Sequence, residues 1–502
     1  MERRSHFRPG PGAFATATAL AVLALSAGSS EAAGVRGDFR TNVALVETRG
    51  FERHTLPIEQ VPGEGVYRQL EDGTVVTCIP GSDVCYWYTQ GDVESSMPVS
   101  QDLRLNGWAN VQGLSGKLHV RGRFGSDEFW PRTEEEIELV TGYAELDRGR
   151  LRIRGGRTSS HNGLGFYEFD GGSALLRTSG MTTIEFYGGR SLARGTSQPL
   201  DGFLLEDADI LAPNDPGWIV GGQAQLILPR RSRVAVAYQR EIRQDRAALY
   251  EERGALDVHM ITTQVTIDTQ IDYDFATERL QDARVRVDSP RMNGYRASGA
   301  LRYRRPYFSL WTIWEAFAPV GYREAWSSLS WSDSRGRAGF QATASYRIYD
   351  DTNVIDPTDS VENDGWQVAA LANWNPNPWR IDGGYKIDWG FAAAESQFDL
   401  GITRDFGSLE LGAQGFASEQ VREFRNGEDW ILGGGVRGRF DSAPWSVEGS
   451  AGVYRLSYEN RADYADWSQK RAYLALGYSF GSDPGMVHRS QSMSGTEKEV
   501  SR

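Results

Sequence analysis

Several common resources are scarce in this chain. There are two cysteines, six histidines and only four lysines, Lys117, Lys386, Lys470 and Lys498, among 54 basic residues. After the first few dozen residues, no stretch approaches the ~20 apolar residues that a membrane-spanning helix requires. Mean hydropathy is −0.48. If the protein lives in a membrane, it must cross it as strands. A net charge of −13, about −14 once the three Arg and two Glu of residues 1–32 are set aside, argues against nucleic acid as a partner. Two cysteines seven apart also exclude particular chemistries. A thioredoxin-like site wants two residues between them, and covalent haem wants a histidine directly after the second, where Tyr86 stands. No cofactor is expected.

What is abundant is glycine, 57 residues, and aromatics, 21 Phe, 15 Trp and 21 Tyr. Glycine relieves crowding on curved strands, and Trp and Tyr suit the two lipid–water boundaries. The pattern that organises them is strict alternation over stretches of about ten residues. In 379–391, Trp379, Ile381, Gly383, Tyr385, Ile387, Trp389 and Phe391 share one parity, and Arg380, Asp382, Gly384, Lys386 and Asp388 the other. Successive strand side chains project to opposite faces, so one face is greasy and the other ionic. Repeated along the whole chain, this predicts an all-β fold: a transmembrane antiparallel β-barrel with lipid outside and water inside.

The expected strand number is 22, within a range of 18–22, the alternation being weakest between Tyr250 and Ser289. Short turns are expected at Gly113-Leu114-Ser115, Asp147-Arg148-Gly149, Ser179-Gly180, Pro229-Arg230-Arg231, Ser334-Arg335-Gly336, Asn375-Pro376-Asn377-Pro378, Phe406-Gly407 and Ser442-Ala443-Pro444. Longer connections are expected at 47–99, 125–135, 158–170, 190–216, 305–322, 350–364, 422–428 and 459–468. Short periplasmic turns and long extracellular loops are the usual asymmetry of such barrels. A barrel this wide is expected to be a monomer.

Three segments frame the barrel. Residues 1–32 read as a secretory signal peptide: Arg3, Arg4 and Arg8, then the apolar run Phe14–Leu25, then small residues with cleavage after Ala32. Residues 33–480 are the barrel, with Val35–Thr48 already strand-like and a last strand ending in Leu474, Leu476, Tyr478 and Phe480. Residues 481–502 read as a disordered tail. Within the first loop, Cys78 and Cys85 flank a turn and in an exported protein form a disulfide. That hairpin is expected over or in the barrel mouth.

The whole mature chain resembles the porin-like barrels of the bacterial outer membrane. The stretch Arg150–Gly172, with Gly155-Gly156-Arg157 and then Phe169-Asp170-Gly171, is similar to the alginate-export type and related porins. The resemblance implies kinship in architecture, an outer-membrane location and contact with lipid and lipopolysaccharide, but no particular solute.

With the greasy parity outward, the lumen receives Arg104, Arg121, Arg123, Arg152, Arg154, Arg284, Arg286, Arg296, Arg302, Arg304, Arg347, Arg380 and Arg437, with Asp382, Lys386 and Asp388 beside them. Arginine stays charged at any relevant pH, and rows of it favour anions. The competing reading pairs these arginines with Glu138, Glu145, Asp382, Asp388, Asp399 and Glu448 and makes them wall braces, each pair worth ~0.2–1 kcal/mol. Both can hold at once. The aromatic run 306–317 reads either as part of an interface girdle or as an inward loop. Acidic loops around Asp350–Asp364 and Glu206–Asp215 read as a solvated rim, with calcium as the weaker alternative. His54, His119, His161, His259 and His488 are scattered, and His119 sits between Lys117 and Arg121, where cations repel a metal. No hydrolase elbow, zinc-protease or phosphate-loop motif occurs, so no enzyme is expected.

Three functions follow. The first is an outer-membrane channel for small polar solutes, favouring anions. The second is an export or sheath barrel filled by a partner, a polysaccharide or a periplasmic electron carrier. The third, a gated active transporter, lacks the length for a plug domain ahead of the barrel.

Overall fold

The computed structural model describes residues 34–481 except 72, 79–80, 82, 110–112, 126–136, 179, 193–216, 243–248, 306–320, 351–363, 391–392, 424–428 and 459–464. The signal peptide, the aromatic run 306–317, most of both acidic loops, His488 and the tail lie outside the described residues.

The chain forms strands throughout. The first are β1 (Gly34–Pro57), β2 (Tyr67–Gln69), β3 (Val75–Cys78), β4 (Val84–Ser96), β5 (Pro98–Trp108), β6 (Leu114–Gly125), β7 (Ile137–Arg148) and β8 (Leu151–Asn162). Then come β9 (Gly165–Arg177), β10 (Thr182–Ser191), β11 (Trp218–Ile227), β12 (Arg233–Ile242), β13 (Leu249–Ile261), β14 (Thr266–Asp274), β15 (Arg279–Asp288) and β16 (Tyr295–Arg304). The remainder are β17 (Tyr322–Ser332), β18 (Ala338–Tyr349), β19 (Asp364–Trp374), β20 (Trp379–Trp389), β21 (Ala393–Asp405), β22 (Leu409–Glu423), β23 (Asp429–Ser442), β24 (Trp445–Tyr458) and β25 (Trp467–Gly481).

Barrel neighbours pair antiparallel, and β1 pairs with β25 from Arg36 opposite Gly481 to Val46 opposite Arg471, which closes the sheet. On its other side β1 pairs with β5 up to Val43 and with β4 from Val46 to Pro57. Beyond Val46 the partnership with β25 ends, so β1 and β4 leave the wall as a two-stranded arm. β2 and β3 complete this arm, and Cys78 is bonded to Cys85 directly opposite it. With β2, β3 and β4 assigned to the arm, 22 of the 25 strands form a closed antiparallel barrel. Closure leaves no edge strand in the wall, which is what lipid demands of a backbone that cannot hydrogen-bond to it. The ambiguous stretch Tyr250–Ser289 resolves into the three strands β13, β14 and β15.

The expected turns all fall on one rim, which also carries the start of β1 and the end of β25. Short turns of this kind face the periplasm in outer-membrane barrels. Outward side chains are greasy and open to the surroundings: Leu301 is 67% exposed, Phe186 65% and Leu432 64%. A continuous apolar surface of this kind in water would drive aggregation; around a closed barrel it is the lipid contact. Aromatics bound it at two heights. Trp331, Phe340, Trp374, Trp379, Phe406 and Trp445 lie next to the short turns, with Trp445 packed on Tyr478 at 4.6 Å between ring centroids. Trp218, Tyr346, Trp366, Trp389 and Trp430 lie near the other rim, with Trp366 stacked on Trp389 at 6.5 Å. On β20 the belts are ten residues apart, ~33 Å along the strand and ~25 Å along the membrane normal at a tilt of ~40°, the height of an outer-membrane apolar band.

Two features of the long connections matter. Residues 158–170 are not an open connection: β8 and β9 stay paired from Leu151 opposite Leu176 to Asn162 opposite Gly165. The alternation there is carried by Thr, Ser and Tyr, which read as loop by composition yet pair as strand. The disulfide arm, second, packs on itself. Its core is Val61, Val76, Cys78 and Cys85, with Leu56, Ile58, Leu70 and Trp87 around it. At its base Arg49 donates to the Ala465 carbonyl (3.4 Å), Gln90 accepts from the Ala465 amide (2.8 Å) and Lys470 pairs with Glu47 (3.3 Å). A separate element, the β8–β9 hairpin, turns into the lumen.

That element hangs on a glycine seam. Gly155 stands opposite Gly172, Gly156 opposite Gly171, Gly172 opposite Gly188, and Gly171 opposite Gly189, across β8, β9 and β10. A Cβ on Gly171 would lie 2.1 Å from the Gly188 carbonyl oxygen, and Gly156 has a φ of 127°, which side chains rarely allow. The backbones therefore approach more closely than any substituted residue permits, and the wall bends. Gly171→Ala should lower the yield of folded barrel and cost about 1–3 kcal/mol. Gly155→Ala, with nothing within 4 Å of the new methyl, should leave urea resistance unchanged. Equal midpoints for the two variants in urea would remove the seam as the cause of the bend.

Candidate functional site: the lumen wall and its inward hairpin

The expected lumenal residues share one parity with the buried polar side chains, and most of the arginines meet carboxylates. Arg121 pairs with Asp102 (2.9 Å), Arg123 with Glu138 (2.6 Å) and Arg154 with Glu145 (2.6 Å). Arg286 and Arg296 share Asp288, at 2.9 and 3.4 Å, and Arg302 holds Asp282. Arg347 bridges Glu324 (3.0 Å) and Asp388 (3.1 Å), Lys386 reaches the same Asp388 (3.5 Å), and Arg380 pairs with Glu410 (3.1 Å). Arg284 donates to Gln270 (3.4 Å) and Arg437 to Thr403 (2.9 Å). Arg152 and Arg304 stand opposite Asp147 and Asp282 in the ladder. Asp382 and Asp399 face one recess further round the wall. The bracing arrangement is thus the geometry of most of these groups.

One patch differs. Where β1, β5, β6 and β25 meet, Arg40, Arg104 and Arg121 line a recess of about 370 Å³ with Asn42, Ser100 and Tyr473. Its acid, Asp102, is buried and already accepts from His119 (2.6 Å) and Arg121 (2.9 Å). Arg40 is held by Tyr473 (3.0 Å) and Glu448 (3.1 Å). Arg104 is exposed and, among the described residues, makes no salt bridge. Asp38 stands opposite Arg104 in the ladder, so three acids accompany the three arginines, and Arg104 is the one of the three outside a direct ion pair.

The second feature was not foreseen. Beyond the glycine seam, the β8–β9 hairpin leans inward, clamped by a bidentate pair between Arg157 and Asp170 (2.8 Å on both oxygens). Its tip reaches across to β12, β13 and β14. Leu164 is buried against Ala237 and Ala255, with Tyr167 beside them. The Gly163 carbonyl accepts from Gln270 (3.1 Å), and Asn162 donates to Tyr187 (3.0 Å), which donates to Gln239 (2.8 Å). Below the tip, Tyr167 donates to Glu251 (3.2 Å) and accepts from Arg253 (3.0 Å). Arg253 also binds Glu251 (3.0 Å) and, through both nitrogens, Asp272. Phe169 stacks on Tyr187 at 5.6 Å and packs with Ile219. One side of the lumen is filled by this packed cluster.

The sequence signal for it was a break in parity. Phe169, Ile219, Ala237 and Ala255 put apolar side chains on the inward parity, where the rest of the chain places ions. Further round the wall, at the same rim as the hairpin tip, Asp466 ties down the end of β24, accepting from Ser457 (2.7 Å), the Tyr458 amide (3.1 Å) and Arg455 (3.3 Å). The Ser457 hydroxyl and the Tyr458 amide hold its carboxyl below the usual carboxylate range.

No protein-family model matches the chain, and no curated protein matches it. Solved structures do. It is similar to OpdQ of Pseudomonas aeruginosa, at 8% identity over 89% of this chain and 98% of that one, TM-score 0.37. It is similar to a BenF-like porin from Pseudomonas fluorescens Pf-5, at 8% identity over 90% and 99%, TM-score 0.42. It is also similar to the translocation pore of the P pilus usher PapC, at 10% identity over 89% and 99%, TM-score 0.41. At these identities and scores the likeness carries nothing about solute or mechanism.

Proposed function

We propose that this chain, a porin-like β-barrel of the bacterial outer membrane, is a passive channel for small polar solutes that favours anions. The observation that supports this best is the Arg40–Arg104–Arg121 recess. Within it Arg40 and Arg121 are paired with Glu448 and Asp102, and Arg104, exposed with Asp38 opposite it in the ladder, makes no direct ion pair among the described residues. A fixed cation on a narrow wetted wall raises the local anion concentration and lowers the barrier for anions. The paired arginines elsewhere stiffen the wall and keep its polar lining from collapsing.

The test is the reversal potential of the refolded protein in a planar bilayer under a potassium chloride gradient. Wild-type protein should give ohmic openings with chloride preferred. Arg104→Glu replaces a cation by an anion at the same place and should shift the reversal potential towards that of a cation-selective pore, with conductance little changed. A wild-type channel that prefers potassium, or an Arg104→Glu variant with unaltered selectivity, defeats the anion reading.

A sheath reading is supported by the arm. β1 and β4 extend about ten residues beyond the wall, ~33 Å at strand rise, on the extracellular side. That suits a partner emerging from the lumen, such as a polysaccharide. A barrel that inserts yet stays silent, or opens only in large unstable steps, would favour this reading over the channel.

A further inference from the structure

We propose that a second recess, between β20 and β25, is a binding subsite for a neutral pyranose ring; the inference builds on the channel reading, since a solute reaches the recess from the lumen. The recess has a volume of about 450 Å³. Three adjacent strands place Phe416, Ile431 and Leu456 on the inward parity: Phe416 lies opposite Gly433, and Ile431 opposite both Ser418 and Leu456. This is an apolar floor on a wall apart from the packed cluster under the β8–β9 hairpin.

Glycine makes the hollow. A Cβ on Gly433 would lie 2.2 Å from the Tyr454 ring, so that ring lies flat against the wall where a side chain would otherwise stand. On the opposite side of the hollow, a Cβ on Gly401 would lie 2.8 Å from the Asp382 carboxylate, which occupies the space over it. Around the floor stand Asp382, Asp399, Gln414, Gln469, Arg437 and Arg471. Arg437 is oriented by Thr403 (2.9 Å), and Arg471 by Gln469 (2.7 Å) and by the Tyr454 ring, 5.1 Å from its centroid.

The ligand class follows from these groups. A pyranose has an apolar C–H face and a rim of hydroxyls, each both donor and acceptor. Aromatic rings cover the first. Planar carboxylate, amide and guanidinium groups bridge neighbouring hydroxyls, accepting at Asp382 and Asp399, donating at Arg437, and doing both at Gln414. An organic anion would use only the guanidiniums and would meet two carboxylates. With two acids facing two arginines, the recess is electrically balanced and selects for a neutral ring.

The experiment has two readouts on the same protein. In a planar bilayer, maltotriose should block the current in a concentration-dependent way, and equimolar benzoate should not. In detergent, titration calorimetry should give matching affinity for maltotriose. Phe416→Ala should raise the half-blocking concentration about tenfold, the loss of one stacked ring. Asp399→Asn, which keeps the shape, should weaken binding less, and both variants are first checked for heat-modifiable gel mobility as a sign of folding. A conducting wild-type channel that maltotriose neither blocks nor binds overturns the subsite and leaves the channel intact. Block or binding unaffected by folded Phe416→Ala also overturns it. A silent barrel that still binds maltotriose in a Phe416-dependent manner defeats the channel and keeps the subsite.

Discussion

Leu164→Asp is expected to raise single-channel conductance by roughly a factor of two or more, because conductance is set by the narrowest part of the pore. The tip of β8–β9 is held in the lumen by a small number of contacts. Burial of the Leu164 side chain between Ala237 and Ala255 supplies about 2 kcal/mol. The bonds from Gln270 to the Gly163 carbonyl, from Asn162 to Tyr187 and from Tyr167 to Glu251 add about 0.5–1.5 kcal/mol each. A carboxylate at position 164 removes the first contribution. It also faces Asp257, whose Oδ2 lies 2.1 Å from where a Cβ on Gly163 would be. Burying an unpaired charge there costs more than the tip's remaining bonds return, so the tip should swing off the wall. The barrel itself should stay folded, since its ladder from β1 to β25 does not depend on position 164. Leu164→Met, which keeps the volume, should conduct like the wild type. A folded Leu164→Asp barrel with wild-type conductance would show that the hairpin is not the constriction.

The sequence made the barrel legible because a strand with lipid on one side and water on the other has a period of two and no alternative. β20 reads directly from Trp379 to Trp389, and the turns at Asn375–Pro378 and Ser442–Pro444 follow from their proline and asparagine. The strand number held even across β13–β15, where the alternation is diluted by Glu252, Gly254, Thr269 and Ala283 on the outward parity. The lumen was legible only in part. Parity placed Arg121, Arg154, Arg302 and Arg347 on the inner face, but the partner of each lies on another strand. Which of them are spent on carboxylates is therefore a question of register, which composition does not carry. The inward hairpin was missed for a related reason. Gly155-Gly156 and Gly171-Gly172 read separately as flexible positions. Only when β8, β9 and β10 are in register do they face one another and bend the wall. The cue that was available, apolar residues such as Ile219 and Ala237 on the ionic parity, marks both the packed cluster there and the recess floor at Phe416 and Ile431.

Arg253→Met should be the most destabilising single substitution in the lumen, at about 3–5 kcal/mol. Arg253 is buried and stands at the centre of the cluster under the hairpin. It is bonded to Glu251 and Asp272, two carboxylates that are themselves buried, and to the Tyr167 hydroxyl. Directly opposite it on the neighbouring strands are Gln239 and Asp274. Its removal takes from Glu251 and Asp272 the guanidinium that joins them. The measurement is the urea midpoint, read as the loss of the heat-modifiable band. Arg253→Lys should recover only part of the loss, because an ammonium cannot hold Asp272 with two parallel bonds. Combining Arg253→Met with Glu251→Gln and Asp272→Asn should recover more, because no charge is then left uncompensated. The Tyr167 hydroxyl also loses a donor in Arg253→Met, so that variant should share the raised conductance of Leu164→Asp where it folds. The triple variant should then separate the two effects, with stability regained and the pore still widened. If Arg253→Met unfolds at the wild-type urea concentration, the cluster is hydrated rather than packed, and the hairpin cannot owe its position to it.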